Sequence, residues 1–278
     1  DIQSLKNSQK CFLDPKNLSK TEWLEVSRDP NKIILTFDDG YIDHSELVAP
    51  FLTSEGISGL FFVPSKMLVE RKVLDVNKIH VLLHKFKGRE SELYEKLIAF
   101  LTLVRDFDAV QLANLKSCYL KPGKYDDAFT NFIKRTLQLE LREEDLENFI
   151  GEIYKQNSST LENLANDLYL NSEDFKAMAS NGHTLGLHGH EHFYLSSLSF
   201  ENQIADISKS IDIFKDNQMS DQFLFAYPYG DYNSSTLEIC KSYGIETSFI
   251  DNMKNVSSDK PYLTIPRIDC NDYFKNDF

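Results

Sequence analysis

The chain has 278 residues, 41% of them hydrophobic and 12% aromatic, with a formal net charge of −13. That length suits one large domain or two ordinary ones, and that apolar content can fill a core, which excludes a disordered chain. The acidic excess argues against a nucleic-acid or anionic-membrane surface, since both need clustered Lys and Arg, and it is compatible with a neutral or cationic ligand.

Cys11, Cys118, Cys240 and Cys270 are scattered and form no CxxC pair. They read neither as a zinc cage nor as a disulfide framework, and they fit reduced thiols in a cytoplasmic protein. The segment DIQSLKNSQK has no apolar signal core, and no run is long enough to span a membrane; because the chain starts at Asp1, a removed leader would leave no trace.

The first strong strand signal is Lys32–Phe37 (KIILTF), which ends on Asp38-Asp39-Gly40. A run apolar on both faces suits a parallel strand covered on both sides. Ser45–Glu55 then places Leu47, Val48, Phe51 and Leu52 at helical spacing and stops at Gly56, and a second run, Gly59–Val63, ends at Pro64. Strand, helix and strand make a βαβ unit and imply a parallel sheet.

From about 81 to 168 the pattern is helical nearly throughout. One apolar face carries Leu146, Phe149, Ile150, Ile153 and Tyr154, and another carries Phe129, Phe132, Ile133 and Leu137. Pro122-Gly123 reads as a turn between helices.

The βα rhythm then resumes. Ser172 is the expected N-cap of a helix Glu173–Ser180 closed by Asn181-Gly182, and His183–Leu187 is a short strand leading into His188. A helix over roughly 200–217, a strand Phe223–Tyr227, a helix Ser235–Tyr243 and strands near Thr247–Ile250 and Tyr262–Ile268 follow. This alternation predicts an α/β fold: a distorted (β/α) barrel of about seven strands, one domain over 1–278 with an all-helical insertion at about 81–168.

Three clusters lie just after predicted strands, where parallel α/β folds bind ligands. Asp38-Asp39 places two carboxylates side by side; they repel unless a cation or proton sits between them, or else they are a solvated N-cap pair. His188-Gly189-His190-Glu191-His192 gathers three of the seven histidines. If helical, His188 and His192 share a face at i and i+4; if extended, all three histidines point one way. Either geometry can hold a divalent metal, and an added Asp completes a site with open positions. Phe225-Ala226-Tyr227-Pro228-Tyr229-Gly230 reads as an aromatic wall suited to a sugar, or as an ordinary aromatic turn.

Together these clusters resemble the polysaccharide deacetylase family (NodB homology, carbohydrate esterase family 4). TFDDG at Thr36–Gly40 is similar to the first family motif, HGHEH fits its H-x-x-x-H pattern, and FAYPYG is similar to the third, over roughly 30–80 and 168–270. The resemblance implies one divalent metal, commonly zinc, held by Asp39, His188 and His192, with Asp38 as general base. The cation would acidify water and polarise the acetyl carbonyl, and the Tyr229 backbone N–H would hold the developing oxyanion, a donor whose loss typically costs about 10²–10³ in rate.

Two positions depart from the family pattern. The third motif commonly begins with an Arg that orients the catalytic Asp, but Ala226 stands here; Arg267, in LTIPRID after the last strand, is the expected substitute. The family usually has a late His that protonates the leaving amine, yet no His follows His192. Of His44, His80, His84, His183 and His190, His80 is preferred because it lies past the second strand, placed to hang over the site.

The expected function is removal of an N-acetyl group from a sugar or sugar-containing intermediate in surface-glycan biosynthesis, with a small or lipid-linked cytosolic substrate. A sugar N-deformylase with the same metal site and an inactive glycan-binding relative are the alternatives. The helical insertion reads as a lid, a lipid-proximal platform or a surface for homo-oligomer formation.

Overall fold

In this computed structural model, residues 2–16, 18–70, 72–154, 164–217, 223–251 and 259–273 are described. Two short strands, β1 (Cys11–Phe12) and β2 (Lys32–Ile33), pair in parallel. Six more follow: β3 (Leu35–Phe37), β4 (Gly59–Val63), β5 (Thr184–Leu187), β6 (Leu224–Ala226), β7 (Thr247–Ile250) and β8 (Ile265–Pro266). They form one all-parallel sheet in the order β3-β4-β5-β6-β7-β8, so each strand lies beside its sequence successor. Crossovers of one hand that always advance in the same direction wind a sheet into a barrel-like curve rather than an open, doubly wound layer. The expected α/β distorted barrel is therefore present, with six strands in its sheet among the described residues rather than about seven. The run Lys32–Phe37 is split at Ile34: its first half pairs with β1 and its second begins the main sheet.

Alternation along each strand sends one set of side chains into the curve. Leu60, Phe62, Leu224, Ala226, Phe249 and Ile265 form one interior cluster with Trp23. Trp23 comes from the helix Lys20–Val26, which opens with a reciprocal Ser19–Glu22 capping box, and its indole meets Phe249 edge-on at 4.9 Å. On β5 the interior position is Gly186, where a Cβ would fall 2.4 Å from the Phe62 ring. The missing side chain is what lets Phe62 fill that space. Among the described residues β3 and β8 do not pair, but Arg267, directly after β8, donates to Thr36 Oγ1 on β3 at 3.2 Å. A contact between the two edge strands of a six-stranded sheet requires the sheet to curl.

Helices cover the outer face. The predicted helix after Asp38-Asp39 begins as a π-helical turn, His44–Val48, and continues as Ala49–Ser54. The helix Ser172–Ser180 starts one residue earlier than expected. Its N-cap is Asn171, not Ser172, because Asn171 Oδ1 accepts from both Glu173 and Asp174 N–H while Asp174 returns a bond to Asn171 N–H. Among the described residues no helix is long and apolar enough to cross a membrane.

The chain divides into two compact units, Asp1–Arg71 with Asn166–Phe278, and Lys72–Ala165. The second overlaps the stretch of about 81–168 that the sequence pattern reads as helical. It contains helices Asp75–Lys85, Glu90–Leu103, Ala109–Tyr119, Ala128–Arg135 and Glu143–Tyr154, with a π-helical turn Thr136–Glu140 extending the fourth. Its own core gathers Ile79, Leu82, Leu97, Phe100, Phe132 and Phe149. Of the expected apolar faces, Leu146, Ile150, Ile133 and Leu137 are also buried, while Phe129 is 38% exposed and leans on Tyr94.

Candidate active site

Every cluster singled out in the sequence lies at the C-terminal edge of the sheet. β3 delivers Asp38 and Asp39, β5 delivers His188, β6 delivers the turn Pro228–Gly230, and β8 delivers Arg267. Asp39, His192 and Tyr229 all adopt left-handed backbone, with φ of 71°, 62° and 58°. For a non-glycine residue that conformation costs about 1–3 kcal/mol and persists only where the surroundings over-determine it.

Between His188 and His192 the chain is neither helix nor strand, so neither regular geometry considered for HGHEH applies. It is a loop whose left-handed turns at Gly189 and His192 fold the two outer histidines toward each other, their rings 4.8 Å apart. One oxygen of Asp39 lies 3.5 Å from His188 Nε2 and 3.1 Å from His192 Nε2. Burial pushes the Asp39 carboxyl up, but the two histidines more than offset this and hold it well below the usual carboxylate range.

The His188 tautomer tests whether a cation fits. His188 Nδ1 donates to the Ala226 carbonyl at 2.7 Å, which leaves Nε2 as the lone-pair nitrogen facing the Asp39 oxygen. Two acceptors that face each other in a buried site need a cation or a proton between them. Without a metal a proton serves: burial pushes the His188 imidazole down, yet the Asp38 and Asp39 carboxylates raise it overall. Asp39, His188 and His192 have donor atoms within 4.8 Å of one another, and an N,N,O donor set fits zinc.

Asp38 stands beside this group, 4.0 Å from His188 Nε2. Both its oxygens are gripped by Arg267, through Nη1 at 2.7 Å and Nη2 at 2.6 Å. Burial raises the Asp38 carboxyl, and Arg267 leads the opposing charges that bring it below its ordinary value. The Arg267 guanidinium also lies over the Phe62 ring, in the same interior cluster as the small Ala226 side chain.

The reading of the third cluster as an aromatic wall needs revision. Phe225 and Tyr227 are 1% and 0% exposed, and the Tyr227 hydroxyl donates to the Leu263 carbonyl, so they belong to the core and not to a sugar-facing wall. Only Tyr229 is partly exposed; its ring stacks on Tyr194 at 3.8 Å and meets His192 edge-on at 4.7 Å. Tyr194 belongs to no motif, and its one trace in the sequence is an aromatic two residues beyond the last histidine.

The remaining histidines separate clearly. His80 is exposed on the helix Asp75–Lys85 of the helical unit. His183 is saturated by bonds involving Gly59 N–H, Thr53 Oγ1 and the Ala49 carbonyl. His190 turns to Ser65, its Nδ1 2.8 Å from Ser65 Oγ. His44 sits among Phe37, Tyr41 and Phe61, and burial lowers its imidazole against the pull of Asp39 and other carboxylates.

Asp206, on the helix Phe200–Asp216, was also missed. It is 6% exposed and accepts from His190 N–H at 3.0 Å and Glu191 N–H at 2.8 Å. Burial pushes its carboxyl above the ordinary value despite those two bonds. Its signal was a polar stripe, Gln203, Asp206 and Ser210, lying within the buried face formed with Ile207, Ile211 and Phe214.

A curled parallel sheet that presents this Asp–His–His group and a second, arginine-held carboxylate at its C-terminal edge is similar in fold to NodB-homology carbohydrate deacetylases. Residues 125–248 match the family model for polysaccharide deacetylase. That match begins inside the helical unit, which the motif resemblance had left out, and takes in HGHEH and FAYPYG. No curated protein matches the chain.

Among solved structures, the Streptococcus pyogenes deacetylase PplD in complex with acetate is similar at 15% identity and TM-score 0.53, over 96% of this chain and 76% of its own. IcaB from Ammonifex degensii has 15% identity and TM-score 0.53, over 96% and 79%. The BpsB deacetylase domain from Bordetella bronchiseptica has 13% identity and TM-score 0.51, over 96% and 81%. At these identities the likeness speaks to the fold.

Proposed function

We propose that the protein is a zinc-dependent N-deacetylase acting on an acetylated amino sugar in a surface-glycan intermediate. The observation that carries this reading is the convergence of Asp39, His188 and His192 donor atoms within 4.8 Å beside the arginine-held Asp38. Those three residues would hold the cation, whose Lewis acidity would make water a better nucleophile and polarise the acetyl carbonyl. Asp38 would take the proton from the attacking water as general base. Arg267 would keep that carboxylate ionised and aimed, since a guanidinium fork fixes both oxygens at once. The backbone N–H of Tyr229, on a turn stiffened by Pro228 and by the stack on Tyr194, would donate to the developing oxyanion. The proton for the leaving amine is assigned to His80 from its place in the sequence.

Acetate release from N-acetylglucosamine oligomers, measured before and after chelation and again after zinc is restored, tests this reading. Chelator-sensitive release that zinc restores is the expected result. Preferential formate release from N-formyl sugars would replace it with a deformylase, and stoichiometric zinc binding without turnover of any N-acyl sugar would leave a glycan binder.

A further inference from the structure

We infer that Asp206 is a positioning residue for the metal pair, a buried clamp that sets the spacing of His188 and His192. This rests on the metal-site reading above. An ionised carboxylate on the buried face of a helix is expensive unless every lone pair it turns inward is used, and mid-helix Asp is a poor helix former besides. Here both oxygens are committed to one target. Oδ2 accepts the His190 N–H and Oδ1 accepts the Glu191 N–H, two successive peptides lying between the two histidines of the metal group.

The loop is shaped to receive that carboxylate. Gly189 has φ of +73°, and a Cβ there would fall 2.9 Å from Asp206 Oδ2, so a side chain at 189 would push the clamp away. The loop's carbonyls are held as well. Gly189 O accepts from Ser65 N–H at 3.0 Å and from Ser210 Oγ at 3.2 Å, and His190 O accepts from Lys66 N–H at 3.2 Å. His192, the next residue but one after the clamped His190, is held in left-handed backbone. A strained residue stays strained only if its neighbours are fixed. The Asp206 bonds fix the 189–190 and 190–191 peptides, one peptide short of His192, whose Nε2 lies 3.1 Å from the Asp39 oxygen.

The experiment compares wild type, Asp206→Asn, Asp206→Ala and Ser210→Ala. Zinc affinity is measured by competition with a chromogenic chelator, ligand geometry by the visible spectrum of the cobalt-loaded protein, and loop anchoring by amide hydrogen exchange at His190 and Glu191 in the metal-free protein. Asp206→Asn presents one acceptor and one donor to two N–H groups, so it should weaken zinc binding by about 10–100-fold, the usual effect of losing a partner that orients metal ligands. It should also alter the cobalt spectrum and speed exchange at both amides, with far-ultraviolet circular dichroism retained. Ser210→Ala, which removes one bond to Gly189 O and leaves the carboxylate in place, should weaken zinc by a smaller factor in the same direction and serves if the Asp206 variants do not fold. Folded Asp206 variants that keep wild-type zinc affinity and slow exchange would overturn the clamp; if only Ser210→Ala folds, unchanged zinc affinity in it would do so. Wild-type protein that binds no zinc would instead remove the metal reading itself, and the exchange data would still report on the clamp.

Discussion

The edge of the sheet and the helical unit differ in how densely they gather buried polar groups and strained backbone. At the edge, His188, His190, His192 and Asp206 are all buried, and three non-glycine residues hold left-handed backbone. In the helical unit the core is mostly aliphatic and aromatic, with Asn77, Thr136 and Asp145 also buried and Asp106 in left-handed backbone; some helices open on side-chain caps, such as Asp108 and Asp127, and charges pair nearer the surface, as Lys134 does with Asp126. Local preference and tertiary structure conflict at several adjoining residues in the first region and only at scattered positions in the second. Strain of this kind persists only where the surroundings over-determine it, and its clustering at Asp39, His192 and Tyr229 points to the same place as the motifs.

The largest expected effect comes from removing a donor of the metal group. His188→Ala should abolish stoichiometric zinc binding and lower kcat/KM by about 10³-fold or more, since a Lewis acid supplies several kcal/mol and each 1.36 kcal/mol is tenfold. Zinc titration of the variant beside wild type checks this, and unchanged affinity would remove the donor set. The next prediction is the one able to break the comparison, because it assigns chemistry to the helical unit. His80→Ala should lower kcat by about 10²-fold if His80 is the proton donor. Full turnover in His80→Ala together with its loss in His44→Ala would return the acid to the sheet-edge unit, where His44 already feels Asp39 and Asp38.

Arg267→Ala sharpens the account of the edge. Losing a charge-assisted bond to a carboxylate removes about 1.5–3 kcal/mol, so kcat/KM should fall roughly 10–100-fold, and Lys should restore only part because it cannot grip both oxygens. The pH dependence has a definite sign. Burial raises the Asp38 carboxyl and Arg267 is the leading charge lowering it, so the variant's carboxyl should titrate at higher pH. The ionised form is the base, so the acid limb of the kcat/KM profile should move upward. A profile that does not move would separate Arg267 from Asp38 in function despite their contact.

Much of this site was legible because the signals were local. Strand runs that stop on Asp38-Asp39, on His188 and on Pro228 announce strand ends, and Arg267 could be placed by the same logic. What escaped depends on groups distant in sequence. Asp206 acts fourteen or more residues from the loop it holds, and its only trace was polarity on an otherwise apolar helix face. Phe225 and Tyr227 look like any exposed aromatics until the curve of the sheet buries them. KIILTF gives no hint of its break at Ile34, because both halves are equally good strand formers and only the partners differ. The helix near 172 was offset by one residue because Asn171 and Ser172 are both good caps, and the bonds to Glu173 and Asp174 decide between them.

The smallest predicted effect draws the line between the two regions most finely, because it uses one residue type and one isosteric change. Asp108 caps the helix Ala109–Tyr119 with a single oxygen: Oδ1 accepts from both Val110 N–H and Gln111 N–H at 2.8 Å. Asp108→Ala should therefore cost about 1 kcal/mol, a fall in Tm of about 4–8 °C if a unit of this size melts on its own. Asp108→Asn should restore nearly all of it, since Asn keeps the one oxygen the cap uses and ranks with Asp as a capping residue. Asp206 divides its two bonds between two oxygens, so the same Asp-to-Asn change there must turn a donor toward a donor. Calorimetry on the 108 pair and zinc affinity on the 206 pair should thus give opposite answers to the same substitution. If Asn fails at 108 as well, the helical unit depends on the negative charge and not on the hydrogen-bond geometry, because the helix N-terminus favours an anion. The ordinary region would then share the electrostatic character that now distinguishes the edge of the sheet.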